Sequence, residues 1–340
     1  MPSPASGLPV IPLVDLGSDG LDVLAQRMPD KVRLLSAAGR SLLSGPILAL
    51  MDRRSRTWLA RNETPYRAEI DAIATIPGVR GAHGLNISTE WACTSASSDG
   101  RLVRILDWPI HGLGGAIVVA RHQSPAGPWY NVTWPGFVGV LTGMAPGRFA
   151  IAYNQAPIRW HTGLWPIDWV LERIHLGPRR AIPATHLIRR AFETCRTYAE
   201  AFRLLKETPI AYTGLITLAG PDGEAAIIER AEDQAFVHDG PGAIPNHWLN
   251  PDWRGHPRGI DSPGRLAQCK LLLPGLRHLE HDFSWLKFPM LNKLGRLAVI
   301  ADLKSGDLVV MGLEQGGDHA IPGTECFRIN VLEGSPVLAN

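Results

Sequence analysis

Residues 91–109 read WACTSASSDGRLVRILDWP, and the fold prediction starts from this stretch. Small and polar residues make up ACTSASS, Asp99-Gly100 is a turn dipeptide, and RLVRILDW returns as a second extended run. An Asp-Gly pair between two extended segments is a strong signal for a β-hairpin. The pattern therefore predicts that Cys93 lies at the beginning of a strand rather than inside a helix.

Arg104 and Asp107 follow Cys93 on the predicted return strand. They are three residues apart, so a regular strand would point them to opposite faces, and a bulge or the strand end would be needed to bring both close to Cys93. A nucleophilic thiol normally needs a base, usually His, and no His has a specified relation to Cys93 in the sequence. The α-amine of Cys93, with an ordinary pKa of about 7.7–8.0, can act as that base. It exists only if the Ala92–Cys93 peptide bond is cut.

The composition excludes several other classes of protein. The chain has 340 residues, 45% of them apolar and 19% charged, with a formal net charge of +2. This is an ordinary globular composition without the concentrated positive charge that nucleic acid requires, so no nucleic-acid partner is expected. The four cysteines form no CxxC pair, and the GxGxxG, P-loop, HExxH and GxSxG patterns are absent in a suitable setting. We therefore expect no cofactor and no metal.

The order of the remaining segments indicates a mixed α+β fold. Residues 20–80 have helical patterns, several short strand-like runs fill residues 115–155, and residues 184–207 read as one helix. After Pro209 the strands resume, and the last predicted hairpin turns at Ser305-Gly306. We find no internal repeat or low-complexity linker. One layered domain is the simplest prediction.

The N-terminal part gives no sign of export or of a membrane span. Residues 1–17 lack the basic start and apolar stretch of a signal peptide, so a cytoplasmic location is expected. The apolar residues 34–50 are too few and too interrupted to cross a bilayer. They predict a pair of amphipathic helices facing the core, and peripheral contact with a lipid surface is the alternative.

Residues 91–109 resemble the processing site of the acid ceramidase and N-acylethanolamine-hydrolysing acid amidase group. Those proteins are N-terminal-nucleophile hydrolases, similar to choloylglycine hydrolases, in which Cys-Thr-Ser opens the mature chain and Arg-x-x-Asp follows. The resemblance continues in the same order through EIDAIATIPG before Cys93 and, after it, PGFVGVLTGMAPGRFAIAYNQ, PNHW and LNKLGRLAVIADLKSGDL. It thus covers most of the chain.

This resemblance implies a four-layer αββα sandwich and a precursor that cuts itself between Ala92 and Cys93. Residues 1–92 would form a mainly helical subunit, residues 93–340 would form the catalytic subunit, and the two fragments would stay associated as one structural unit. The implied activity is hydrolysis of the amide bond of small-molecule N-acyl compounds, such as an N-acylethanolamine, a ceramide or a similar fatty amide. The reaction would pass through an acyl-thioester at Cys93.

The resemblance also implies a role for each matching residue. Cys93 would be both the self-cleaving residue and the nucleophile, Arg104 would lie in the substrate cleft, and Asp107 would hold the α-amine. Asn246, in PNHW, would donate its amide to the oxyanion. Asn154 would line the same cleft.

Weaker motifs indicate further candidate site residues. A late arginine is expected near a Ser-rich turn, where Arg265 in DSPGR is preferred and Arg258 is the alternative. Trp108, Trp134 and Trp160 are candidate walls of an apolar pocket from their positions alone.

One departure bears on the mechanism. The lipid amidases usually carry Glu-Arg after the position of Asn154, whereas this chain has Gln155-Ala156. The change removes a carboxylate from the cleft and so affects the expected pH behaviour and self-cleavage. Three alternatives stay open: acyl transfer to an amine, a non-catalytic relative that binds acyl lipids, and a different cysteine enzyme that uses His247.

Overall fold

Two β-sheets stacked face to face form the middle of the structure. The computed structural model describes residues 7–42, 45–62, 64–87 and 91–332, without the side chains of residues 38–42. Elements are numbered in chain order. The first sheet has eight strands in the following order: β1 (Leu13–Gly17), β4 (Val118–Ser124), β5 (Gly127–Thr133), β6 (Thr142–Ala145), β7 (Phe149–Gln155), β9 (Gly214–Ala219), β10 (Ala225–Ala231) and β11 (Gln234–Asp239).

The second sheet has seven strands and carries the hairpin that contains Cys93. Its order is β12 (Gly242–Ile244), β2 (Ala92–Ser98), β3 (Arg101–Asp107), β14 (Gly295–Asp302), β15 (Asp307–Gln315) and β16 (Ala320–Pro322), with β17 (Phe327–Asn330) also paired to β15. A separate two-stranded sheet joins β8 (Ile158–Arg159) to β13 (Gly255–His256).

The helices lie before, between and after these strands. Their bounds are α1 (Leu21–Arg27), α2 (Pro29–Leu42), α3 (Gly45–Arg61), α4 (Arg67–Ala74), α5 (Ala82–Ile87), α6 (Trp165–Leu176), α7 (Ala184–Thr194), α8 (Tyr198–Glu207) and α9 (Ser262–Leu272). Short 3-10 helices span Gly114–Ala116 and Leu273–His278.

Side-chain contacts fix the order of the layers. The Ser95 and Thr217 hydroxyls are 2.7 Å apart, which joins β2 of one sheet to β9 of the other. Apolar residues of α7 and α8 pack with the first sheet, and residues of α9 and the following 3-10 helix pack with the second. Each sheet is therefore covered by another sheet on one side and by helices on the other. This confirms the predicted four-layer αββα sandwich.

The predicted hairpin around Cys93 is confirmed. Strands β2 and β3 pair in antiparallel register, and both Asp99 (φ 52°) and Gly100 (φ 81°) have positive φ values. Two positive φ values at the central positions are what a tight two-residue hairpin turn requires. The predicted turn at Ser305-Gly306 is also present, between β14 and β15.

The prediction of one helix over residues 184–207 is wrong, because two helices occupy this range. Helix α7 ends at Thr194, and Cys195 is extended with φ −89° and ψ 130°. The Thr197 side chain then accepts a hydrogen bond from the Glu200 amide and caps the start of α8. The apolar spacing continues across the break, which explains why the pattern looked continuous.

The segment before Cys93 is mainly helical and packs closely on the rest of the chain. It holds α1–α5, and β1 adds to the first sheet as a parallel edge strand beside β4. The half-buried Glu69 of α4 and the buried Arg189 of α7 form an ion pair at 2.8 Å. These contacts are compatible with fragments that stay together after a cut at Cys93, which remains a prediction.

The apolar residues 34–50 fall on α2 and α3, with residues 43–44 and the side chains of residues 38–42 outside the described part. Val32 and Leu35 of α2 are buried, as a core-facing helix requires, and Ile47 and Leu50 of α3 are exposed. Within the described part of the chain, we find no helix with both the length and the apolar character needed to cross a bilayer.

Candidate active site

The side chain of Arg104 lies directly against the sulfur of Cys93. In the hairpin register Arg104 is opposite Ser95, so Arg104, Ser95 and Cys93 share the face of the sheet that points between the two layers. One guanidinium nitrogen of Arg104 donates to the Cys93 Sγ at 2.8 Å, and both residues are fully buried. The same guanidinium donates to the Leu141 and Tyr153 carbonyls.

Burial controls the state of the thiol. Loss of solvent raises the pKa of the Cys93 thiol above its ordinary value, while the nearby Arg104 guanidinium acts in the opposite direction. In the uncut chain the thiol is therefore protonated at neutral pH and must give up its proton as it attacks.

Asn246 contacts the backbone nitrogen of Cys93. The Asn246 Oδ1 accepts from the Cys93 N–H at 2.6 Å and from Arg265 at 3.1 Å, and the Nδ2 donates to the Gln155 carbonyl at 2.8 Å. Its neighbours fix this orientation, because an amide N–H and a guanidinium are donors only and a carbonyl is an acceptor only. In the uncut chain the amide oxygen, rather than the NH₂ group, thus faces Cys93.

Arg265 binds the next peptide unit, which joins Cys93 to Thr94. One guanidinium nitrogen donates to the Cys93 carbonyl at 2.6 Å and to the Thr94 hydroxyl at 3.0 Å. It also lies 3.9 Å from the Asp107 carboxylate, and both of these side chains are fully buried. Arg265 is positioned by α9, which begins at Ser262 after the Asp261 N-cap.

Asp107 lies at the end of β3, opposite Ala92 in the hairpin register. It therefore points away from the face that holds Arg104, as the three-residue spacing predicted. Its Oδ2 accepts from Asn292 at 2.9 Å, and its buried Oδ1 has no hydrogen-bond partner among the described residues. Burial raises the pKa of Asp107 to about 6, with Arg265 opposing the rise.

Asn292 is a site residue that the sequence did not reveal. It belongs to the LNKLG segment. Nothing in this local sequence indicates a contact with Asp107, which is 185 positions earlier in the chain. Its Oδ1 also accepts from the Leu294 amide, which fixes the side chain beside Asp107.

Asn154 and Gln155 lie side by side on β7 and contact different parts of the site. The Asn154 Nδ2 donates to the Ser95 hydroxyl at 2.9 Å and to the Ile244 carbonyl at 2.8 Å. The Gln155 Oε1 accepts from the Trp91 amide at 3.1 Å. Gln155 thus contacts the residue that precedes Ala92.

Two of the predicted pocket tryptophans are in one aromatic cluster. The ring centroids of Trp91 and Trp108 are 5.2 Å apart, those of Trp91 and Phe137 are 5.9 Å apart, and those of Trp108 and Trp134 are 6.0 Å apart. All four are buried. Trp160 is 49% exposed instead, and its ring contacts His256.

Arg258 and His247, the alternative residues, contact other residues around the site. The Arg258 carbonyl accepts from Arg265 at 2.7 Å, and its guanidinium lies 3.5 Å from Glu172. The His247 Nδ1 is 2.8 Å from the Ser262 hydroxyl, and burial lowers the pKa of His247.

Comparison with known proteins gives matches of low identity. Acid ceramidase of Bos taurus is 25% identical over 301 residues, which cover 77% of this chain and 73% of that protein. Acid ceramidase of Pan troglodytes is 27% identical over 184 residues, which cover 51% of this chain and 45% of that protein. The chain is similar in sequence to acid ceramidases. This confirms the predicted resemblance.

The matches cover only part of the curated relatives. The chain spans about half the length of the first curated relatives that it matches, 45% for Pan troglodytes and 52% for Heterocephalus glaber. No family model matches it.

Solved structures also match at low identity. For an N-acylethanolamine-hydrolyzing acid amidase ortholog of Caenorhabditis elegans, the match covers 63% of this chain and 93% of that chain, at 17% identity and a TM-score of 0.46. A conjugated bile acid hydrolase variant of Clostridium perfringens covers 70% and 96%, at 11% identity and a TM-score of 0.41.

Proposed function

We propose that this chain is a self-cleaving cysteine amidase that hydrolyses the amide bond of N-acyl compounds. The observation that carries the proposal is the arrangement around one residue. Arg104 contacts the sulfur of Cys93, Asn246 contacts its nitrogen, and Arg265 contacts its carbonyl oxygen. A structural cysteine needs none of these contacts, because a buried thiol packs as a small apolar group. The similarity to acid ceramidases supports the amide as the bond that is cut.

The first reaction uses the chain as its own substrate. The Cys93 sulfur attacks the Ala92 carbonyl carbon, the C–S bond forms and the Ala92–Cys93 C–N bond breaks. The thiol proton passes to the leaving nitrogen, which becomes the α-amine of Cys93. Water then hydrolyses the thioester, which releases the Ala92 carboxylate and restores the thiol.

The second reaction repeats this chemistry on an external amide. The new α-amine takes the thiol proton, and the thiolate attacks the acyl carbon of the substrate. The amine part leaves with that proton, and water hydrolyses the acyl-thioester at Cys93. The new α-amine would lie beside Asn246, which accepts from the Cys93 N–H in the uncut chain, and the unpartnered Oδ1 of Asp107 is a candidate acceptor for its ammonium form.

The uncharged Gln155 has a consequence for the pH dependence. No carboxylate stands at this position, so Asp107, whose pKa is about 6, and the α-amine are the groups proposed to set the pH profile. We expect turnover to rise with pH as Asp107 ionises, with an apparent pKa below that of the uncut chain because the new ammonium group lies beside Asp107.

The direct test is to incubate purified protein with an N-acylethanolamine and, separately, a ceramide. We expect release of free fatty acid and amine, and an acyl adduct on the fragment that begins with Cys93. The Cys93→Ala variant should give neither. A chain that binds these amides without turnover would instead be a lipid-binding relative.

The same assay separates hydrolysis from acyl transfer and tests the rival base. An added amine should leave fatty acid as the main product, whereas an N-acylated form of that amine would indicate an acyltransferase. His247→Ala should retain activity, since the α-amine is the proposed base. Loss of turnover in His247→Ala, together with activity of protein with a blocked Cys93 amine, would contradict the mechanism.

A further inference from the structure

We propose that helix α6 positions the groups around the Ala92–Cys93 bond through two carboxylates, Asp168 and Glu172. These two side chains hold residues 255–259, the segment that packs against the bond to be cut. They are positioning residues, since the contacts that reach the site pass through this segment. The inference rests on the proposed function and adds positioning residues to the same site.

The first step is the match in spacing between α6 and this segment. Asp168 and Glu172 are four residues apart on a helix, so they lie on one face, one turn apart. The Asp168 Oδ2 is 2.9 Å from the His256 Nε2, and a Glu172 oxygen is 3.5 Å from the Arg258 guanidinium. Successive turns of α6 thus hold two basic residues that are two positions apart in the segment.

The second step is the way in which α6 is attached to the rest of the chain. In this helix, which the structure describes in full, Asp168 is the only buried residue. Its exposed apolar residues are Trp165, Ile167, Val170 and Ile174. Helix α7, by contrast, buries most of its residues. Because apolar burial contributes less to the attachment of α6, the two carboxylate contacts have a larger share in holding it against residues 255–259.

The third step is the connection from Arg258 to the site. The Arg258 N–H donates to the Asn246 carbonyl at 3.1 Å, and the Arg258 carbonyl accepts from the Arg265 guanidinium at 2.7 Å. The Arg258 Nε also donates to the Ala156 carbonyl at 2.8 Å. A shift of Arg258 therefore moves both residues whose side chains bind the backbone of Cys93.

The fourth step is the packing of the next residue against the bond to be cut. Gly259 follows Arg258, and a methyl group on it would lie 2.5 Å from the Ala92 Cβ and 2.9 Å from an Arg265 nitrogen. The segment is therefore in close contact with the residue whose carbonyl carbon the sulfur attacks. Rates of such reactions depend steeply on the alignment of the reacting groups, so a small displacement of the segment slows the cut.

The fifth step is the cost of separating the ion pair. The side chains of Glu172 and Arg258 are mostly buried, with 21% and 12% of their surface exposed. Burial raises the pKa of Glu172 and lowers the pKa of Arg258, and each partner opposes the shift of the other. Loss of one partner leaves a poorly solvated charge, which draws the segment toward other partners.

Glu172→Gln tests the positioning role, because it removes the charge and keeps the size of the side chain. We expect self-cleavage to slow by about 10–100-fold, measured as the rate of appearance of the shorter fragment. Asp302→Asn is the matched control, since Asp302 pairs with Arg101 at 2.6 Å on the second sheet and both side chains are similarly buried. The control should lose stability without slowing the cut. Equal slowing in the two variants would overturn the inference.

Combined variants separate positioning through Arg258 from a general loss of stability. The double variant Glu172→Gln/Arg258→Gln should cleave no more slowly than Arg258→Gln alone, because the two residues act through one contact. Glu172→Asp keeps the charge and should cleave faster than Glu172→Gln. Losses that multiply in the double variant, or equal rates in Glu172→Asp and Glu172→Gln, would contradict the assigned role.

Turnover by protein that has completed the cut gives a second measurement. With an N-acylethanolamine as substrate, Glu172→Gln should lower kcat by about 10–100-fold at a nearly unchanged KM, because the carboxylate contacts the positioned segment rather than the substrate. A higher KM at unchanged kcat, or an active wild type that Glu172→Gln matches in both reactions, would overturn this inference alone. Absence of both the cut and turnover in the wild type would overturn the proposed function, and the inference with it.

Discussion

The Arg104 guanidinium donates a hydrogen bond to the Cys93 sulfur at 2.8 Å, and water reaches neither side chain. This contact joins the reactive group to both sheets, because the same guanidinium donates to carbonyls of Leu141 and Tyr153. Arg104 thereby places positive charge beside a thiol whose pKa is raised by burial. It is the strongest single stabiliser of a thiolate that the described structure offers.

Arg104→Lys tests this contact. Arg104 has four acceptors, because it also donates to the Thr142 hydroxyl. A lysine has one compact charged group and cannot reach all four, so we expect kcat/KM for amide hydrolysis to fall by about 10–100-fold. The apparent pKa for attack should also move upward. Arg101→Lys is the matched control, because Arg101 is a buried arginine on the same strand that pairs with Asp302. Equal losses of activity in the two variants would contradict the assigned contact.

Asn246→Ala removes the acceptor beside the Cys93 nitrogen. The peptide N–H of Cys93 and the Arg265 guanidinium then lose a shared partner in a buried site, which disturbs the bond to be cut. We expect self-cleavage to slow by about 10–100-fold, the cost of leaving a buried donor unpaired, measured as the rate of appearance of the shorter fragment. Asn250→Ala, in the same loop region, should cleave at the original rate. Unchanged cleavage in Asn246→Ala would show that the contact is not needed.

Gly259→Ala tests the packing around the bond to be cut. A methyl group on Gly259 would lie 2.5 Å from the Ala92 Cβ and 2.9 Å from an Arg265 nitrogen, with a φ of +74°. We expect it to displace Ala92 and to suppress self-cleavage. Gly147→Ala is the control, because Gly147 also has a positive φ, +66°, with nothing within 4 Å of the added methyl. Both variants should lose about 1 kcal/mol of stability from the backbone conformation, but only Gly259→Ala should stay uncut. A fully cleaved Gly259→Ala protein would refute this expectation.

Asp107 should make stability depend on pH. Its folded pKa of about 6 exceeds the ordinary value of 3.8, so the folded chain holds this proton more tightly than the unfolded chain does. The contribution of the protonated carboxyl is therefore complete below about pH 4 and is lost as pH rises through about 6. The test compares the Cys93→Ala variant with the Cys93→Ala/Asp107→Asn double variant. The difference between their free energies of unfolding should change across this pH window. Urea titrations at several pH values measure it, and a difference that is constant from pH 4 to pH 7 would contradict the pKa.

The sequence predicted those parts of the fold that depend on local chemistry. The Asp99-Gly100 turn and the hairpin that carries Cys93 follow from residues next to each other in the chain. Strand β1 was not predicted, because LVDLG is short and only Leu16 in it is buried, so it has no alternating pattern. It forms through its pairing with β4, which lies more than a hundred residues away. The split between α7 and α8 was also missed, since the apolar spacing runs through it.

For the candidate site too, the sequence predicted the local relationships and missed the contacts between distant segments. Cys93, Arg104 and Asp107 lie in one hairpin, and their spacing already indicated that the two charged residues face opposite sides. The contact of Asn292 with Asp107 depends on the pairing of distant segments, which no local pattern records. The orientation of Asn246 depends on the donors around it, Cys93 N–H and Arg265, and could be known only from three-dimensional geometry.

Self-cleavage before Cys93 is the central claim, and intact-mass analysis with N-terminal sequencing of the purified protein tests it most directly. We predict a fragment whose first residue is Cys93, present together with the fragment that ends at Ala92, and a single uncut chain in Cys93→Ala. An uncut wild-type chain that hydrolyses amides at the full rate would contradict the account.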